Sequence, residues 1–353
     1  MKRRPVVALV FTALLLTTSA ARADETMSAL ARWLAEDYAL PRYAALAEQG
    51  QDLATALTDL CSGRSDKAAV QQAYHRAMDA WMAIQHLRFG PVDYLDRHSR
   101  LYFWPDKTNA LGKQLPRALN ERSPHLLEPT ALAKASVALQ GLPALERLLF
   151  SDKAPVEETY GCAFAQAIGA NVAGIAAGVL HDWRDGESAY ARRIIEADAN
   201  DLLFSDSKEV AGLFFAGLHE ALRATDELRL GRPLGEAGSR PRPRRAESWR
   251  SGRSLRNITV ILESLASMTE GFASLLRARN QGALADRLST DFAQAIDKAR
   301  AIQPPLSEAV VDPIEKPKTE ALRDSIRALH VLLATEVSPA LDLWTGFNSL
   351  DGD

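Results

Sequence analysis

Apolar residues recur every three or four positions through most of this chain, and no stretch sustains the two-residue alternation of a half-buried strand. In 68–88 the positions Val70, Ala73, Ala77, Trp81, Ile84 and Leu87 mark one such face, and Phe89-Gly90-Pro91 ends it. The same spacing predicts helices over 131–150, 157–183, 210–230, 255–278, 283–302 and 319–343. The 157–183 stretch is rich in Ala and Gly, which permits close helix approach. The 210–230 helix follows Ser205-Asp206-Ser207, good N-cap chemistry, and should stop at Gly231 with Pro233 beyond it. Pro304-Pro305 and 310–317 read as breaks between the last two helices.

Long helices joined by short breaks imply an all-α fold built from bundles rather than a sheet. The chain is too long for a single four-helix bundle. The expectation is two packed helical bundles, 24–203 and 204–353, with a site in the cleft between them. One segment departs from the helical pattern. Residues 231–250 hold Pro233, Pro241 and Pro243 among Arg232, Arg240, Arg242, Arg244 and Arg245. It reads as an exposed loop joining two helices. An anion or partner site is the functional alternative, set aside because no aromatic residue was seen interleaved with the arginines.

The first residues carry an address. Lys2, Arg3 and Arg4 precede an apolar run from Val6 to Leu16, and Ala21-Arg22-Ala23 supplies a small-x-small cleavage pattern. The run is too short to span a bilayer. The expectation is a signal peptide over 1–23, a mature chain from Asp24, a periplasmic location and no membrane insertion afterwards. An oxidising compartment favours a disulfide between Cys61 and Cys162, the two cysteines of the chain, over two separate buried thiols.

Composition adds exclusions. Of 353 residues, 47% are hydrophobic and 25% charged, ordinary globular proportions that argue against a disordered or collagenous chain. Lys+Arg 42 against Asp+Glu 45 gives a formal net charge of -3, so no whole-chain field attracts nucleic acid. Losing Lys2, Arg3, Arg4 and Arg22 with the signal takes four positive charges from that -3 and leaves -7. Two cysteines cannot build paired CxxC zinc sites.

Motifs for catalysis are sparse. His219-Glu220 opens a zincin-like pattern, but Arg223 stands where the second histidine belongs, so His219 reads as a helix-surface or interbundle residue. There is no GxSxG and no phosphate-cradling GxxxxGK[ST]. If 68–88 is one helix, Trp81, Gln85 and Arg88 share a stripe, and His75, Asp79, Met82 and His86 form a neighbouring one. His75 and His86 would then lie about 16 Å apart along the axis, too far to share an ion, and the second stripe reads as surface. Gly141 and Pro143 interrupt an apolar pattern, which requires either a helix start at Pro143 or a kink. Glu146 would then lie near a helix N-terminus, where a carboxylate is favoured. Arg88 and Arg97 are candidates to pair with Glu146 or a ligand carboxylate, with structural ion pairing the simpler role. Trp104 and Trp344 read as core packing near helix ends.

Several stretches resemble the imelysin family of bacterial envelope proteins. The ending Gly346-Phe347-Asn348-Ser349-Leu350-Asp351-Gly352-Asp353 is the most specific, 80–91 (AWMAIQHLRFGP) is similar to the family's tryptophan-to-glycine-proline helix end, and DELRLGRPLG followed by AESWRSGRSL is similar to the approach to its second bundle. The resemblance implies two facing helical bundles, a site around a GxHxxE motif, and a setting in periplasmic iron uptake. Here that motif stands as Gly141-x-Pro143-x-x-Glu146, so the imidazole donor is replaced by proline. Gly141 and Glu146 carry over, with Glu146 and Asp351 as possible oxygen ligands for a cation. Trp81, Arg88, Gly90, Pro91, Ser248, Ser254, Asn348 and Asp351 become positional candidates for the cleft.

The function these features imply is a non-catalytic protein of iron acquisition that binds a metal, a haem-like ligand or a partner protein in the interbundle cleft. The founding members' label implies a metallopeptidase as one alternative. A module that pairs with a histidine-bearing imelysin paralogue is another, and other periplasmic iron-uptake proteins are further candidate partners.

Overall fold

A computed structural model describes residues 26–152, 155–185, 189–235 and 239–343. The expected signal peptide, Trp344, Asn348 and Asp351 lie outside them. All regular structure among the described residues is helical. Nine helices organise it: α1 (26–61), α2 (Lys67–Met82), α3 (Ala110–Glu121), α4 (Leu142–Phe150), α5 (Thr159–Arg184), α6 (Ser207–Ala224, prolonged to residue 234), α7 (Ser254–Ala278), α8 (Gly282–Arg300) and α9 (Glu315–Leu332, prolonged to residue 341).

Three of these helices contain the same device. π-Helical turns occupy Leu34–Ala39 in α1, Thr225–Gly231 after α6 and Leu333–Val337 after α9. Each ends two residues before a proline: Pro41, Pro233 and Pro339. Proline has no N–H for the i−4 carbonyl, and its ring crowds that carbonyl. Widening the preceding turn relieves both problems, so the helix continues instead of breaking. This corrects the expected stop at Gly231, because the helical course runs on through Arg232–Leu234.

Packing falls into two groups. α1 lies against α5 and α2, and α4 packs on α2 and α5. α8 lies between α7 and α9, and α6 packs on α9. The Ala/Gly-rich face of α5 allows the close approach expected of it, since a Cβ on Gly169 would stand 2.5 Å from Leu57 Cδ1 and one on Gly50 would meet Ala173 Cα at 3.5 Å. The groups join where α7 crosses α2 and the π turn of α1, and one continuous apolar core runs through both. α5 and α7 are long and apolar enough to cross a membrane, and their apolar character is accounted for by their burial within this core.

Other expectations need correction. The 68–88 helix ends at Met82, where the Ala83 carbonyl accepts from the Ser264 hydroxyl of α7 instead of continuing the ladder. Gln85 and Arg88 therefore leave the predicted stripe. The 131–150 helix is three pieces, Pro129–Leu132, Val137–Leu139 and α4, because Gly141 and Pro143 restart the chain there. α1, α3 and the short Tyr190–Ile195 helix were not anticipated. The 231–250 segment is only partly a solvated loop: Pro233, Leu234, Ala246, Glu247 and Ser248 are buried, and Arg240, Arg242, Arg244 and Arg245 are exposed.

Cys61 at the end of α1 is bonded to Cys162 in the first turn of α5, closing a sequence separation of 101 residues. Such a cross-link restricts the unfolded chain strongly. Replacing both cysteines by serine should lower the urea-unfolding free energy by about 2–5 kcal/mol. An unchanged midpoint would show that α1 and α5 hold their register without the bond.

Candidate functional site

The site grows from the start of α4. Gly141 caps the helix without a side-chain bond, and Pro143 occupies the first turn, where no N–H is needed. Glycine is required at 141 because a Cβ there would lie 2.3 Å from Leu101 O and 2.5 Å from Arg100 O. This fixes the helix start and turns Glu146, the fifth residue, inward. Glu146 is past the first turn, so its role is not the helix-dipole one. Its Oε1 accepts from the Ser251 N–H at 3.0 Å and from the Ser251 hydroxyl at 2.8 Å. Burial pushes the Glu146 carboxyl above its ordinary range, against the pull of those two donors and of Arg250.

Ser251 belongs to a turn that leads into a buried polar seam. Its hydroxyl also lies 3.1 Å from Ser248 O. Ser248 Oγ is 3.4 Å from the Tyr102 hydroxyl and accepts from Asn257 Nδ2 at 3.2 Å. The same Asn257 amide reaches Glu247 Oε2 at 3.2 Å, and Arg229 Nε reaches that oxygen at 3.0 Å. Arg229 and Glu247 have side chains only 3% and 1% exposed. The Arg229 guanidinium lies 4.7 Å from the Trp104 ring centre, adding a cation–π contact. Ser254 donates to the Glu247 carbonyl. Across the seam, buried Arg253 pairs with Asp79 of α2 and lies 3.2 Å from His75 Nδ1. Among the described residues the Tyr74 hydroxyl and Glu247 Oε1 are buried without partners, and burial first, then the charges of Glu146 and Glu247, hold Tyr74 protonated.

Beside the seam lies a cavity of about 330 Å³ between residues 85–107 and the end of α6. Tyr102, Trp104 and Arg229 belong to both, and Arg88 lines its exposed side. Two histidines in its wall are turned to structural bonds. His86 Nε2 meets the Tyr38 hydroxyl at 2.7 Å, and His98 Nε2 meets Gln85 O at 3.0 Å. Burial holds both imidazoles down at about 3, so they stay neutral.

The candidates from sequence divide accordingly. Glu146, Ser248 and Ser254 share the seam, and Arg88 reaches the cavity. Trp81 is core, packed on His98 and Tyr102. Gly90 has φ +66, and a Cβ there would meet the Tyr190 ring at 2.6 Å; Pro91 lends its carbonyl to Arg97. These two are structural. Arg97 pairs with Asp182 at 2.6 Å and not with Glu146, and Arg88 makes no direct ion pair among the described residues. The surface reading of the second stripe fails: Met82 and His86 are buried, and Asp79 holds Arg253 and Arg256 across to α7. His219 is half-buried and not interbundle; it stacks on His330 at 3.8 Å between α6 and α9. Arg229, Glu247, Ser251, Arg253, Asn257 and Tyr102 were missed, and the only signal was the serine- and arginine-rich stretch 244–254.

A metal held by this motif does not fit the residues present. Among the described residues no three of His, Cys, Asp and Glu gather as a ligand set. Position 143 lacks a donor, Glu146 Oε1 is engaged by Ser251, and Arg229 and Arg253 already supply positive charge to the seam.

An all-helical molecule of two packed groups, with a carboxylate at a Gly-x-Pro-x-x-Glu helix start in their polar seam, is one architecture with known relatives. The family model described as Imelysin matches residues 39–334, and the chain belongs to that family. In solved structures it is similar to an imelysin-like protein from Psychrobacter arcticum 273-4, at TM-score 0.77 and 20% identity, over 92% of this chain and 98% of that one. It is also similar to a proposed iron-regulated protein A precursor from Parabacteroides distasonis ATCC 8503, at TM-score 0.72 and 15% identity, over 88% and 94% of the two chains. No curated protein matches it significantly.

The raised carboxyl of Glu146 sets a pH dependence. A folded-state value above the unfolded one gives stability that is full below about 4.3 and is lost as pH rises through the folded value. Glu146→Gln mimics the protonated form, so its urea midpoint should gain on that of the unmodified chain as pH rises from about 4 to 8. A difference that stays constant with pH would contradict this.

Proposed function

We propose that this imelysin-family chain is a periplasmic component of bacterial iron acquisition that binds and does not cleave, receiving a ligand or partner in the cleft between its helix groups. The carrying observation is the fate of the motif: proline stands at 143 and the Glu146 oxygen is held by Ser251, so these residues tie α4 to the turn before α7. A metallopeptidase needs a metal with an open position and an activated water, and among the described residues the donors for it are not assembled. The cavity beside the seam instead offers Arg88 at its mouth, with Trp104 and Tyr102 as aromatic walls. The iron setting draws on the neighbour described as iron-regulated, and export draws on that neighbour's description as a precursor together with the pattern of residues 2–23. A division into units near residue 203 belongs to the same proposal.

Two measurements test it. Purified protein should leave insulin and casein intact with or without chelator; chelator-sensitive cleavage abolished by Glu146→Ala would overturn the reading. In the native host, deletion should slow growth under iron limitation, with rescue by the intact gene and weaker rescue by Arg88→Glu. Equal growth of the deletion strain in iron-poor and iron-rich medium would remove the iron assignment.

A further inference from the structure

A groove larger than the interbundle cavity lies elsewhere among the described residues. It has a volume of about 1260 Å³ and lies between α3, the end of α4 and the turn 244–250. Four guanidinium groups line it, Arg122, Arg147, Arg244 and Arg250, against two carboxylates, Asp152 and Glu158. Glu158 is engaged with Arg122 at 3.4 Å. Arg147, Arg244 and Arg250 make no ion pair among the described residues. Arg250 is pushed below the ordinary arginine range by burial first and then by the charges of Arg147 and Arg244, with Glu146 and Asp152 pulling the other way. A chain of formal net charge -3 thus gathers four guanidiniums against two carboxylates in one concavity, a local excess of positive charge.

The guanidiniums are also oriented. Trp249 contacts both loop arginines, with Arg250 4.3 Å and Arg244 5.7 Å from its ring centre. This corrects the sequence reading that no aromatic residue interleaves with the arginines of 231–250. Cation–π contact holds the planar groups over the indole and leaves their edges for hydrogen bonding. Arg250 directly precedes Ser251, which is fixed by Glu146, so the turn presenting it is anchored. The concave shape suits a compact anion better than an extended polymer backbone.

We propose that this groove is a binding site for a compact organic or inorganic anion bearing two or more carboxylate or phosphate groups, held by Arg147, Arg244 and Arg250. Two separated oxyanion groups bring two or more negative charges to guanidiniums spread across the groove, where a monocarboxylate brings one charge at one point. The inference rests on the groove alone and holds whether or not the protein serves iron acquisition.

Isothermal titration of the iron-free protein tests it, with citrate and pyrophosphate as probes for the two oxyanion types and acetate as the single-charge control. Citrate, pyrophosphate or both should bind at least about tenfold more tightly than acetate, and the preferred probe identifies the group. Arg147→Gln and Arg250→Gln should each weaken binding by about tenfold or more, the equivalent of roughly 1.5 kcal/mol for one charged hydrogen bond. Arg250→Lys should retain more affinity than Arg250→Gln, with unchanged far-ultraviolet circular dichroism in every variant. Equal affinity for acetate and both probes, or unaltered binding in the Arg147→Gln/Arg244→Gln/Arg250→Gln triple variant, would overturn the proposal.

Discussion

Arg229 and Glu247 carry opposite charges at a place where almost no water reaches either, and the rest of the site is arranged around keeping them there. Removing two ions from water costs several kcal/mol each, and attraction alone rarely recovers it. The surroundings supply further terms: the Asn257 amide on Glu247 Oε2, the Trp104 ring against the guanidinium, and the Ser254 hydroxyl on the Glu247 carbonyl. One oxygen, Glu247 Oε1, is left without a partner among the described residues. The pair joins the prolongation of α6 to the segment entering α7. Through Ser248 and Ser251, the same segment reaches Glu146 on α4. Loss of either charge would leave the other buried and uncompensated in this seam.

Proline placement explains how the charges arrive. Pro233 forces a π turn over Thr225–Gly231, and Arg229 lies on that turn. Pro41 does the same for Leu34–Ala39, and Tyr38 on that turn reaches His86 and Ser264, linking α1, the end of α2 and α7. A wide turn alters the angular phase of a helix, so a side chain is aimed where regular periodicity would not send it. Two of the three π turns thus deliver polar groups to contacts between the helix groups.

This is also why the sequence was only partly legible. Apolar periodicity located the long helices other than α1 and α3, because burial of one face dominates their stability. The pairing of Cys61 with Cys162 followed from residue chemistry alone, and of the two options at Pro143 the structure takes the helix start, one residue earlier at Leu142. Periodicity failed where Ser264 takes the Ala83 carbonyl and where Gly141 abuts two backbone carbonyls, since both are contacts between segments distant in sequence. Within the site, Glu146, Ser248 and Ser254 were reachable through a family resemblance. Arg229 sits in an apparently ordinary helix end, and Glu247 and Trp249 sit in what composition marks as loop; only the tertiary fold pairs them.

The family motif thereby takes on a mechanical meaning in this chain. Gly141 permits the approach, Pro143 starts α4, and Glu146 closes the seam from one side as the Arg229–Glu247 pair closes it from the other. A double-mutant cycle with Arg229→Met and Glu247→Leu tests that claim most directly. Each single change should cost about 3–5 kcal/mol of unfolding free energy by stranding a buried charge, while the double variant should recover most of the loss. Small and additive losses would contradict the account.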